Sequence, residues 1–141
     1  HSLSNEIHWR QPKVGARLLP RSAAWLTHYG CTCTYRYSGT AWPPQQMAPW
    51  FVDMMDQVCR ACGITERPNS CNANFYQDAS QSVGWHSDDE PLFDATRHDT
   101  LIVSLSLGSG RSFAMKPQDQ KGGFCRVILG NGDLCTMEGL M

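Results

Sequence analysis

Apolar positions recur at helical spacing in one stretch: Phe51, Met54, Met55, Val58, Cys59 and Cys62 share a face of the run from Trp50 to Cys62. Gly63 supplies a stop, and Pro43, Pro44 and Pro49 bar an earlier start, so one helix is predicted there. Elsewhere the apolar runs are short or alternate. Cys33 to Tyr37 carries Thr34, Tyr35 and Tyr37 and meets Ser38-Gly39, which predicts a strand entering a loop. From Asn72 onward the chain reads as short strands over Ala73 to Tyr76, Thr100 to Leu107, Ser112 to Lys116, Cys125 to Leu129 and Leu134 to Met137. Leu101, Val103, Leu105 and Leu107 alternate with Ile102, Ser104 and Ser106, which predicts a central strand burying the first four on one face. Gly108-Ser109-Gly110 and Gly130-Asn131-Gly132 read as turns between neighbouring strands. Short strands with glycine turns, preceded by one packed helix, predict a mainly β fold, a sandwich or jelly roll. No repeat or linker divides the 141 residues, so a single domain over 1–141 is expected.

Composition narrows the class. With 41% hydrophobic and 18% charged residues, and no apolar run near the roughly 20 residues a bilayer demands, a membrane protein is not expected. Residues His1 to Arg10 lack the apolar stretch of a signal peptide, and without an initiator Met the chain is expected to be part of a longer one. Seven scattered cysteines, an odd number, fit reduced thiols and an intracellular protein, nuclear or cytoplasmic. Cys59-x-x-Cys62 with Cys71 raises zinc, but helical spacing makes Cys59 and Cys62 small core residues. A net charge of -1 gives no general affinity for nucleic acid. Arg10, Lys13, Arg17 and Arg21 form a basic stretch whose acid is Glu6, which predicts either a basic surface or an ordinary solvated face.

The chemistry concentrates in Asn74-Phe75-Tyr76 and Gly84-Trp85-His86-Ser87-Asp88-Asp89-Glu90. On a strand, His86 and Asp88 project to one face, where an imidazole nitrogen and a carboxylate oxygen can meet one metal ion. That supplies two members of a 2-His-1-carboxylate triad, which leaves iron positions open for co-substrate and dioxygen. The same spacing also gives a surface hydrogen bond. Asn74 and Tyr76 read equally as a strand amide and a core aromatic, Tyr35 and Tyr37 as cross-strand packing, and Asp89 as a solvated acidic turn. Arg111 reads as a surface charge.

Four pieces in order resemble the AlkB family of Fe(II)/2-oxoglutarate dioxygenases: Pro20-Arg21 with Tyr29-Gly30, Thr34 to Gly39, the Asn74 to Glu90 block, and Gly132-Asp133-Leu134 with Met137-Glu138. The resemblance covers nearly the whole chain and is similar in order to the nucleic-acid repair branch. It implies a double-stranded β-helix and Fe(II) held by His86 and Asp88. It also implies 2-oxoglutarate touched by Asn74 and Tyr76, with dioxygen as co-substrate, and a base pocket that includes Tyr35, Tyr37 and Asp89. The implied substrate is DNA or RNA carrying methylated bases, each flipped out of the stack to be reached, and a monomer is expected. The family's second iron-binding histidine and its carboxylate-gripping arginines would follow shortly after position 141. The last strands are therefore expected to lie outside this chain, which alone should hold Fe(II) poorly. His1, His8, His28 and His98 do not occupy the missing position and read as surface or packing histidines. Two other functions fit the same residues: a 2-oxoglutarate dioxygenase acting on protein or small molecules, and a non-catalytic nucleic-acid-binding module.

Overall fold

The computed structural model describes residues 5–37, 39–94, 97–117 and 122–139. His1 and Ser38, both invoked above, lie outside them. The described chain is mainly β with one helix, and it divides after position 95 into two compact units.

The first unit opens with a short antiparallel ribbon, β1 (Lys13–Val14) and β2 (Arg17–Leu18). Its register pairs Val14 with Arg17 and Lys13 with Leu18, which sends Lys13 and Arg17 to opposite faces. Arg21 is buried besides, at 3% exposure. Of the two readings of the basic stretch, these residues therefore do not form a single basic face.

Strand β3 (Ser22–Thr27) is central to a three-stranded sheet. It is buried along almost its whole length because both of its faces are covered. Ala24 and Leu26 join Ile7 and Phe51 on one side, with Cys71, Ala73 and Met54 packed against them. Ala23 and Trp25 join Leu19, Tyr35 and Trp42 on the other, with Tyr37 and Phe93 packed against those. A strand buried on both faces has no polar alternation, and for that reason the sequence pattern does not announce it.

The antiparallel pair β4 (Tyr35–Tyr37) and β5 (Thr40–Trp42) follows, so the expected strand over Cys33 to Tyr37 forms only in its second half. Strand β6 (Pro44–Gln46) then runs parallel to β3, through the proline-rich segment.

Helix α1 (Pro49–Cys62) starts with proline in its first turn and stops at Gly63, whose backbone is left-handed at φ 66°. Phe51, Met55 and Cys59 are its buried residues, four apart, and Cys62 is half-buried. Strand β7 (Ser70–Phe75) pairs antiparallel with β3 and begins three residues earlier than expected. Its register sets Ala73 beside Ala24 and Asn74 beside Ala23. The first pair faces the helix, and the second faces the aromatic cluster.

The second unit is two antiparallel ribbons, β8 (Thr100–Leu105) with β11 (Leu134–Gly139) and β9 (Arg111–Met115) with β10 (Cys125–Leu129). The glycine turns therefore do not make hairpins of consecutive strands. They are corners at which the chain leaves one ribbon for the other, and Gly108 N–H donates to Asn131 Oδ1, 2.9 Å away, to join the two corners. The expectation for β8 is corrected. Among the described residues its partner is β11; Leu101 and Leu107 are 44% and 50% exposed, and Ile102, Val103, Ser104, Leu105 and Ser106 are all half-buried, so neither face is buried in preference to the other. Leu101 lies opposite Glu138, while Ile102 and Ser104 lie opposite Met137 and Cys135. Alternation along one strand buries a face only where another layer packs on it, and β8 stands in a ribbon of two strands.

Candidate active site

An open cavity of about 470 Å³ lies in the first unit, lined by Leu19, Pro20, Arg21 and Tyr37 and by the segment Val83 to Ser87 with Asp89 and Glu90. The Val83 to Glu90 segment is irregular chain, with no strand among the described residues paired to it, so His86 and Asp88 do not stand on a strand.

His86 and Asp88 nevertheless converge, with Nε2 and Oδ1 3.6 Å apart. His86 Nδ1 is 2.8 Å from the Gly84 carbonyl oxygen, which can only accept, so Nδ1 carries the hydrogen. In the neutral ring Nε2 then presents a lone pair toward a carboxylate oxygen. Two lone-pair donors facing across 3.6 Å suit a cation between them, since metal–nitrogen and metal–oxygen bonds of roughly 2.0–2.2 Å together span that gap. The residues present fit two ligands of a divalent metal. Among the described residues, no group of three His, Cys, Asp or Glu side chains that could hold a metal is found.

The other expected residues divide. Tyr37 and Asp89 line the cavity with His86, whereas Asp88, Asn74 and Tyr76 are not among its walls. Where Asn74 and Tyr76 were expected, the wall carries Arg21 and Tyr37. Asn74 is connected through Arg21, whose Nε donates to Asn74 Oδ1 at 2.6 Å and whose Nη2 donates to Tyr37 Oη at 2.9 Å. Tyr76 is half-buried just past the end of β7. Tyr35 belongs to the core at 3% exposure, with its ring 4.8 Å from Tyr37 and 4.7 Å from Trp25. Its hydroxyl donates to Glu90 Oε1 at 2.8 Å. Burial, reinforced by that carboxylate, pushes the phenol well above its ordinary range, so it stays a donor. Sequence reasoning did not single out Arg21 or Glu90 as site residues. Both stand in the motif stretches, but neither has a periodic or spacing signal to mark it.

The model of the 2OG-Fe(II) oxygenase superfamily matches residues 2–141. The chain belongs to that superfamily. Within it the protein is AlkB-like: it is 32% identical to the alpha-ketoglutarate-dependent dioxygenase alkB homolog 3 of Rattus norvegicus, over 97% of this chain and 48% of that protein. To the DNA oxidative demethylase ALKBH2 of Mus musculus it is 31% identical, over 85% of this chain and 50% of the relative. The ALKBH2 of Arabidopsis thaliana is 29% identical over 81% of this chain and 37% of the relative. The AlkB-like chain thus spans about half the length of the first of these relatives.

Proposed function

We propose that this AlkB-like protein oxidatively removes N-linked methyl groups from bases of DNA or RNA, within a polypeptide that folds as a double-stranded β-helix. The observation that carries the reading is the convergence of His86 Nε2 on Asp88 Oδ1, 3.6 Å apart, with His86 and Tyr37 both lining the cavity. His86 and Asp88 would hold Fe(II), and Asn74 and Tyr76 would contact 2-oxoglutarate. When bound, the metal and co-substrate supply dioxygen-dependent hydroxylation of the methyl carbon coupled to decarboxylation, after which the product separates into formaldehyde and the free base.

The chain's own residues supply position. Tyr37, whose ring stacks on Tyr35 at 4.8 Å and on Trp42 at 5.5 Å, would meet a base turned out of its stack at the cavity wall. Asp89, on the cavity wall, can accept from an exocyclic amino group. With Nδ1–H donating to the Gly84 carbonyl, Nε2 is the nitrogen that the neutral ring of His86 would offer to the metal. No side chain has to serve as nucleophile. The names of the relatives, a DNA oxidative demethylase among them, support this substrate class. No helix among the described residues is long and apolar enough to cross a membrane. An intracellular site of action, nuclear or cytoplasmic, follows from the substrate.

The test is release of succinate and formaldehyde from methylated oligonucleotides by the full-length protein, beside Asp88→Ala and His86→Ala variants. Matched release by the wild type and its loss in both variants is expected. Succinate without formaldehyde on every methylated DNA and RNA base would favour a protein or small-molecule substrate. Neither product, with nucleic-acid binding intact, would favour a non-catalytic module.

A further inference from the structure

Arg21 is a buried cation whose hydrogen-bond partners among the described residues are two neutral oxygens, Asn74 Oδ1 and Tyr37 Oη. A guanidinium is donor-only, and that decides the orientation of both partners. The Asn74 amide must turn its oxygen to Arg21, which directs its NH2 away. Tyr37 Oη must accept, so the phenolic hydrogen points elsewhere. Arg21 can do this because β3 begins directly after it, and the β3–β7 register sets Ala23 opposite Asn74 on the aromatic side. Its guanidinium carbon also lies 5.6 Å from the centroid of the Tyr37 ring.

We propose that Arg21 is a positioning residue that fixes the hydrogen-bond polarity of two subsites at once, leaving the Asn74 NH2 to donate to an anionic co-substrate and the Tyr37 hydroxyl hydrogen to donate to a base. The proposal rests on the function proposed above and adds a cause for the orientation of both groups. It explains why an arginine is worth burying here: a lysine ammonium is a point charge and does not present two parallel donors in a fixed plane. Asn74 and Tyr37 lie on different strands, and Arg21 is the side chain that touches both.

The decisive variant is Asn74→Asp. It keeps an oxygen for Arg21 and adds an ion pair, but it replaces the outward NH2 with a second acceptor. Titration of the full-length protein with 2-oxoglutarate, in the presence of Mn(II) in place of Fe(II), is expected to give a melting temperature no lower than wild type. The same titration should give an affinity at least about tenfold weaker, the scale of losing a donor to a charged group. Arg21→Met should weaken both 2-oxoglutarate and a single-stranded oligonucleotide carrying one N1-methyladenine. Arg21→Met/Asn74→Ala should weaken 2-oxoglutarate no further than Asn74→Ala alone. Arg21→Lys should recover one of the two affinities at most. If Arg21→Met does not fold, Asn74→Asp and Arg21→Lys carry the decision. Wild-type affinity in Asn74→Asp, or full recovery of both affinities in Arg21→Lys, overturns the proposal alone. Absence of 2-oxoglutarate binding by the wild type overturns the proposed function and this inference with it.

Discussion

On β7 the side chains alternate between two environments, and Cys71 falls on the helix side, against the cluster that includes Leu26 and Phe51. Burial pushes its thiol from 9.0 to about 11. The unfolded chain therefore releases this proton first, so the stability the buried thiol contributes is present below pH 9 and is lost as pH rises toward 11. Two units correspond to about 3 kcal/mol at most. Cys71→Ala should show a flatter fall of unfolding free energy from pH 9 to pH 11 than wild type, in urea titrations at each pH. An equal slope would mean that Cys71 is not the group responsible. Tyr35 and Glu90 make a second case. Glu90 Oε2 is buried with no hydrogen-bond partner among the described residues, so Oε1 depends on the Tyr35 hydroxyl. Tyr35→Phe should cost about 1.5–3 kcal/mol, as for a hydrogen bond to a charged group, and not the smaller amount typical of a neutral one. Chemical denaturation of Tyr35→Phe, Glu90→Gln and the double variant measures that coupling, and strictly additive losses would refute it.

Helix α1 depends on its ends as well as its apolar face. Its amino end has no side-chain cap, only Pro49 in the first turn, while at the other end Ile64 N–H donates to the Cys59 carbonyl and Gly63 N–H to that of Arg60. A Cβ placed on Gly63 would meet nothing within 4 Å, so the cost of a substitution there is conformational alone. Gly63→Ala should therefore destabilise by about 1–2 kcal/mol, the penalty of a left-handed backbone for an L residue, and Gly63→Asn by less. Thermal unfolding of the two variants checks the order. The Arg67–Asp56 ion pair is bidentate at 2.7 and 2.6 Å but partly exposed, and is worth at most about 1 kcal/mol.

At the scale of the molecule, a net charge of -1 and the division of Lys13 and Arg17 between opposite ribbon faces leave little general attraction for phosphate. On the function proposed above, discrimination between methylated and unmethylated oligonucleotide should then reside in the cavity. Raising salt from about 50 to 200 mM weakens phosphate contacts steeply, so affinity for both oligonucleotides should fall while their ratio stays within about twofold. Fluorescence anisotropy at several salt concentrations measures this. A ratio that collapses with salt would place recognition on the charged surface instead of the cavity.

The sequence by itself determined what depends on neighbours along the chain. It marked α1 to within one residue through periodicity, proline and glycine, placed β10 with its bounds, and brought His86 and Asp88 together because two residues of extended chain cannot carry them far apart. The ordered motifs also disclosed the family that the comparison with known proteins bears out. Only the tertiary structure decided the rest. Strand β3 is central yet has no alternation to detect, because it is covered on both faces. The alternation of β8 does not bury one face, since Ile102 to Ser106 are all half-buried alike. Arg21 meets Asn74 across 53 positions and Tyr35 meets Glu90 across 55. Periodicity reports how a segment meets one surface, whereas burial on two faces and hydrogen bonds between distant segments require the partner strand to be in place.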